Sequence, residues 1–384
     1  MLRVFFSVLM LSSSPLLGET LIQRIWLTHQ SNAPSHIVIN WETDTPARSV
    51  LSYGQTEKLG ETKIIAGSRT LHHVEIPTPG RDNIWYYKVG EAGLQSSVHS
   101  FKGYPSKQLR VAIVGDWGYA PQHDLSALIR DDVHLILTAG DNVASLHGKD
   151  KAGTKAFSAL IDRYPEIFRS TPLMPILGNH DREITSRGPK PPDHAVYDIE
   201  AKAYRDFFAL PDKEWVWRFD IADFGLRFIA LDLNHISDVG TTWQTCHPFD
   251  KQSEQFQWYQ EVMDTSERFN YVITLMNERQ LSLKGKSQGV WHEQFKRGSA
   301  LVTGFGYFAE RAELESGLPY YNTCLKGDGA PYKDPNSRFF AQKHHYLLLT
   351  VEKAQDSLKV QFKEVNGEVL DSSSIQRRNP KAEF

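Results

Sequence analysis

Two cysteines in 384 residues are too few for a disulfide-dense scaffold or for a zinc site built on cysteine alone. A basic excess is also missing. Lys and Arg number 43 against 46 Asp and Glu, a formal net charge of −3, which argues against a nucleic-acid binder. No stretch beyond the N-terminus reaches the roughly 18 apolar residues that a membrane-spanning helix needs, so no membrane partner is expected. Internal repeats and low-complexity tracts are absent too. Small molecules and protein partners remain open.

What is present is an ordinary globular composition, 40% hydrophobic and 23% charged, in a chain long enough for two domains with separate cores. The first residues read differently. Arg3 precedes the apolar run Val4 to Leu11, and small residues with a proline follow. This pattern predicts a secretory signal over residues 1–18, cleaved near Ser14 or Gly18, and hence a secreted or periplasmic protein. A buried first strand is the other reading of the same residues. In an oxidising compartment Cys246 and Cys324 are a candidate disulfide, the alternative being two free buried thiols. The bond would close a loop of about 78 residues and would be worth on the order of 4 kcal/mol.

Residues 20–104 read as all-β. His36 to Trp41, Arg48 to Tyr53, Leu71 to Ile76 and Ile84 to Val89 are short β-rich runs, separated by turn signals such as Asp44-Thr45-Pro46. Short strands at this spacing predict a sandwich, and Tyr86, Tyr87 and Val89 look like the penultimate strand of a fibronectin type III module. His72 and His73 are adjacent in a strand, so they point to opposite faces and make no joint site.

Tyr104-Pro105-Ser106 marks a boundary. Beyond it, apolar runs alternate with helical segments: Leu109 to Val114, Val133 to Thr138, Leu173 to Leu177, Leu226 to Leu231, Tyr271 to Met276 and Ala300 to Thr303, with helices expected over Lys155 to Arg169, Glu200 to Phe208 and Ser253 to Thr265. That alternation predicts a layered α/β domain over residues 108–354. Strands His345 to Glu352, Ser357 to Lys363 and Glu368 to Ser373, with an Asn366-Gly367 turn, lead into a closing hairpin and tail over 355–384.

Three strand ends carry polar sets: Gly115-Asp116-Trp117-Gly118-Tyr119, Gly140-Asp141-Asn142 and Gly178-Asn179-His180-Asp181. Open α/β sheets bind ligands outside the carboxyl ends of their strands. Carboxylate and amide oxygens converging there make a hard-cation site. The ordered set resembles the calcineurin-like metallophosphoesterases, and the β-sandwich in front looks like that of purple acid phosphatases. The resemblance implies a four-layer sandwich and a small phosphate-ester substrate. It also implies two metal ions about 3.5 Å apart. It assigns Asp116 to the first metal, Asp141 to both, Asn179 to the second, and His180 to a place beside the phosphate where it assists the leaving group.

The second half of the pattern departs from the family. Where a strand should end in a metal-binding histidine, Tyr271 to Met276 runs into Asn277-Glu278-Arg279. Where the family has GHxH, this chain has Gly304-Phe305-Gly306-Tyr307. The tyrosine that colours purple acid phosphatases corresponds to Ala144, which implies a colourless protein. The surviving donors are Asp116, Asp141, Asn179, Asn277 and Tyr307, all oxygen. Their chemistry favours Mg²⁺, Mn²⁺ or Ca²⁺ over zinc or iron, as one or two weakly held ions. His123, His147, His194, His235 and His247 fall in expected loops, where His147 and His235 could reach the crevice. Asp181 reads as structural, and Arg182, Glu278 and Arg279 read as solvated loop charges. The expected activity is phosphoric ester hydrolysis with a weakened metal site. The alternative is an inactive relative that binds a phosphorylated or sulfated ligand or a partner protein.

Overall fold

The computed structural model describes residues 21–91, 93–120, 122–185, 191–330 and 332–378. The expected signal over residues 1–18 lies outside them. Among the described residues the strands form three sheets.

The first sheet contains β1 (Ile22–Thr28), β2 (His36–Gly54), β3 (Glu61–Pro77), β4 (Ile84–Val89) and β5 (His99–Lys102), ordered β1-β2-β4-β5 with β3 also on β2. The expected series of short strands is corrected here, because β2 runs for 19 residues and β3 for 17. Their pairing slips between Glu42 and Ala47 and again before Ser49. Pro46 lies in the slip, where its missing N–H leaves no ladder bond broken. Such a bulge bends a strand without ending it. The first half of β2 therefore pairs with β1 and the second half with β4. Trp41, Leu51, Val74 and Tyr87 fill the core that the bent sheet encloses. His72 lies flat on Trp41 (centroids 4.6 Å apart), with its ring nitrogens bonded to Thr43 and Ser49, and His73 faces Asn40 and the Asp206 carbonyl.

Two further sheets follow. One is β15-β13-β14-β12-β11-β10-β9, from β9 (Trp217–Ile221), β10 (Leu226–Ala230), β11 (Tyr271–Met276), β12 (Ala300–Thr303), β13 (Ala309–Glu313), β14 (Pro319–Asn322) and β15 (Ser337–Ala341). The other is β18-β17-β16-β6-β7-β8, from β6 (Gln108–Val114), β7 (Leu135–Thr138), β8 (Leu173–Met174), β16 (His345–Glu352), β17 (Ser357–Glu364) and β18 (Val369–Gln376). Alternate residues explain the layering. Phe228, Ile273 and Val302 pack in one core with β6 and β7, whereas Ile229, Val272 and Leu301 pack with Phe256, Tyr259 and Trp291 from helices Glu254–Asp264 and Val290–Phe295. Phe157, Ile161 and Phe168 cover the far side of the β6–β7 sheet. The order is helix, sheet, sheet, helix. Trp26 of β1 stacks on Phe207 at 4.2 Å and joins this core to the first sheet.

Strands β6, β7 and β8 run parallel, as do β10, β11, β12 and β14, so their carboxyl ends gather at one edge. The chain after β14 passes very close to the end of β6. Leu325 donates its N–H to the Gly115 carbonyl at 2.7 Å, and a Cβ on Gly115 would stand 2.0 Å from the Thr323 carbonyl oxygen.

Cys246 and Cys324 are free, both buried, and the expected disulfide is corrected accordingly. Cys246 packs in the core between the β10–β11 sheet and its helices, close to Asp232. Cys324 follows β14 and lies against Asp116, so the two thiols belong to different layers.

Substituting Gly115→Ala is expected to destabilise the fold by about 3 kcal/mol, because backbone and not a flexible side chain occupies the space. A urea melt that leaves the midpoint unchanged would refute this close approach.

Candidate metal centre

β6 and β7 are mostly apolar strands that lead into Gly115 and Gly140, and the next residue of each is an aspartate. Both aspartates adopt the left-handed region, Asp116 at φ 49° and Asp141 at φ 52°. Asp tolerates that region better than most residues, and such conformations concentrate at functional sites. The turn carries both side chains inward, where they are almost wholly buried and their carboxylates meet. Asp141 Oδ1 accepts the His180 backbone N–H at 3.1 Å, and the Asn179 N–H also points at this carboxylate. A Cβ at position 178 would come within 2.1 Å of Asp141 Oδ1, which explains the glycine before Asn179.

Asp116 has no comparable set of donors. Its Oδ2 is buried without a hydrogen-bond partner. Burial, then the charge of Asp141, pushes the Asp116 carboxyl well above the usual range. Burial raises Asp141 as well, against the pull of the two N–H groups. Asp181 is also fully buried and acts from behind: it accepts from Asn142 Nδ2 (2.9 Å), Val143 N (3.2 Å) and Gly178 N (2.8 Å), and so holds the second and third motif loops together.

The second-half residues occupy the facing edge. Asn277 Nδ2 donates to the Ala139 and Gly304 carbonyls, both at 2.7 Å. Phe305 sets its ring against Tyr332 at 5.7 Å. Tyr307, at φ 64°, packs its ring 5.2 Å from Tyr119. The Tyr119 hydroxyl reaches His180 Nε2 at 2.6 Å, while His180 Nδ1 faces the Ala144 carbonyl at 2.8 Å. A carbonyl can only accept, so His180 carries its proton on Nδ1, and Nε2 accepts from Tyr119.

The loop histidines lie elsewhere. His123 packs at a tilt against His344, His147 faces the Ile184 carbonyl, and His235 sits near Asp238. His194 is exposed, and His247 is bonded to Asp232 and stacked on Trp215 at 3.7 Å. Two expected loop charges are corrected. Arg182 is buried and paired with Asp232, and Glu278 is buried, accepting from Ile236 N and Arg279 N. Burial works against ionising Asp232, but Arg182 and His247 together hold its carboxyl below the usual range. Arg279 is the partly exposed member of the three, with its guanidinium over the Tyr332 ring. Trp117 is core, packed on Phe168, so of that motif's two aromatic residues Tyr119 is the one that turns to the site. Tyr119 carried no metal-family signal; only its place in the GDWGY loop could have drawn notice.

Among the described residues no group of three His, Cys, Asp or Glu side chains is arranged to hold a metal ion. The buried Asp116–Asp141 pair leaves Asp116 Oδ2 without a hydrogen-bond partner, a carboxylate oxygen open to a cation.

A family model for the calcineurin-like phosphoesterases matches residues 109–305, and the chain belongs to that family. No curated protein matches it in sequence. Its fold is similar to the solved structure of PhoD, with 12% identity over 95% of this chain and 94% of that one and a TM-score of 0.62. More distant similarities are to GAP50, the anchor in the inner membrane complex of Plasmodium (12%, 72% and 91%, TM-score 0.48), and to a dimetal phosphatase from Danio rerio (12%, 70% and 98%, TM-score 0.45). At these identities the PhoD likeness bears on fold alone, and the other two are too remote to carry an argument.

Two outcomes are expected. Raised carboxyls in the folded apo protein mean that it loses stability as pH rises from the unfolded carboxylate value of about 4. Mn²⁺ should therefore raise the melting temperature more at pH 8 than at pH 5, and an equal shift at both would contradict the carboxylate pair as its binding site. For Asp232 the sign is opposite, since its folded value is depressed. Its contribution is complete above about pH 4 and lost as pH falls below that. Replacing Arg182→Met should cost about 3 kcal/mol at pH 7 by leaving a buried carboxylate without its guanidinium and with His247 as its remaining cationic partner, measured by chemical denaturation.

Proposed function

We propose that the chain is an exported phosphoric ester hydrolase, related to the acid phosphatases, that works through a weakened, oxygen-rich site with one divalent cation, Mg²⁺, Mn²⁺ or Ca²⁺. The observation that carries this reading is the buried Asp116–Asp141 pair at the ends of parallel strands, with Asp116 Oδ2 unpartnered. Asp116 and Asp141 would hold the cation, with Asn179, Asn277 and Tyr307 as further oxygen donors. Bound there, a divalent ion would offset the charge of a phosphate ester and activate water.

The chain's own groups divide the remaining work. The N–H groups of His180 and Asn179 keep Asp141 oriented. His180 holds its proton on Nδ1 against Ala144 and offers Nε2 to the Tyr119 hydroxyl. The movable proton of that pair is the phenolic one. Donation by His180 to a leaving alkoxide therefore requires Nε2 first to take up a proton, either the phenolic one or one from solvent once Tyr119 has turned away.

A second reading, a non-catalytic relative that binds a phosphorylated or sulfated ligand or a partner protein, is favoured by one observation. The Asn277 amide is committed to two backbone carbonyls where the family places a metal-binding histidine.

An aryl-phosphate assay between pH 4 and 9 with added Mg²⁺ or Mn²⁺ separates the two. The first reading expects turnover that falls about 100-fold or more in Asp141→Ala. No turnover from folded wild-type protein would leave the second.

A further inference from the structure

With one cation the charges at this site do not balance. Two carboxylates are offset by one divalent ion, and a phosphate ester dianion then brings two more negative charges. A two-metal enzyme meets them with its second ion. Here the second-half positions hold Asn277, Phe305 and Tyr307, and another source of positive charge is needed.

Lys326 is placed to be that source. Its ammonium lies 4.8 Å from the centre of the Tyr307 ring, the residue that stands where the family has a histidine. The segment that carries it is fastened on several sides. Cys324 N donates to His345 Nε2 at 3.2 Å, Leu325 N to Gly115 O at 2.7 Å, and Gly327 N to His344 Nδ1 at 3.0 Å. Lys326 thus follows directly on the residue that anchors the turn before Asp116, and its charge reaches that carboxylate. Its ion-pair partner is Asp328 at 3.9 Å, a mostly exposed carboxylate that neutralises it weakly. The ammonium itself is partly exposed, so it can meet a ligand without leaving its loop. Tyr307, Tyr119 and His180 continue from it as a row of contacts along the same edge.

We propose that Lys326, held on the Tyr307 ring, takes over the electrostatic role of the missing second metal and binds the phosphoryl oxygens of the ligand. The inference rests on the phosphate-ester reading above. It makes the site a mixed one, with a cation on the Asp116–Asp141 side and an ammonium on the Tyr307 side. A lysine is a compact point charge with three donors, suited to a phosphoryl group and unable to replace a metal in activating water.

The test measures Mn²⁺ affinity and inorganic phosphate affinity separately, by calorimetry on the wild-type chain, Lys326→Gln and Lys326→Arg. For Lys326→Gln the two affinities should move in opposite directions. Phosphate binding to the Mn²⁺-loaded protein should weaken about ten- to hundredfold. Mn²⁺ binding should tighten by about fivefold as a repelling charge is removed. Lys326→Arg should keep phosphate affinity within a few-fold of wild type. A lysine that only supports the loop would weaken both ligands together, and that result overturns the proposal. So does unchanged phosphate affinity, or wild-type protein that binds no phosphate. If phosphate binds in a Lys326-dependent way but aryl phosphates are not turned over, the hydrolase reading fails while the role of Lys326 stands.

Discussion

The geometry of the centre depends on one side-chain amide. Asn277 donates from the same nitrogen to a carbonyl that follows β7 and to one that follows β12. It thereby ties the carboxyl edges of two sheets, next to the Leu325 N–H bond to the Gly115 carbonyl. Without such a link, two sheets packed face to face could shift at their rims, and the aspartates borne on one would lose their relation to the tyrosine borne on the other. A histidine there would have spent its ring nitrogen on a metal, and the metal would have joined the sheets. In this chain a direct amide bridge does the joining, and the remaining ligands are released from that task.

That exchange accounts for the mixed character of the site. The first half keeps the strand-end aspartates, Gly178, whose missing Cβ lets the chain pass beside Asp141, and the Asp181 brace behind them. The second half has become aromatic and amide. Its rings pack on one another and on cations: Phe305 on Tyr332, Arg279 over Tyr332, Tyr307 against Tyr119, Lys326 over Tyr307. Positive charge on that side is delivered by side chains anchored on rings, which fixes it less rigidly than coordination would.

Much of the α/β region was legible in the sequence. Tyr271–Met276, Ala300–Thr303 and His345–Glu352 form strands with the bounds expected, because their apolar runs stop abruptly at polar or glycine residues. Where expectation failed, a local competitor won. Pro175 has no N–H to continue a ladder, so β8 stops at Met174, and its carbonyl serves Tyr204 and Trp217. The helix expected over Lys155 to Arg169 breaks at Tyr164, before Pro165. The turn residues at Asp44-Thr45-Pro46 make a bulge instead of an end. For the centre, motif spacing singled out Asp116, Asp141, Asn179 and His180, and the fold brings these four together. Lys326 and the burial of Arg182 were not legible, since each depends on which loops the folded strands bring together.

The two unpaired thiols have a use of their own. Each is fully covered, yet they sit in different layers, Cys246 beneath the outer helices and Cys324 beside Asp116. A thiol reagent can reach either only when its own layer opens. Alkylation rates at the two positions would then act as separate internal clocks, one timing excursions of the helical cover and the other timing breathing at the metal edge.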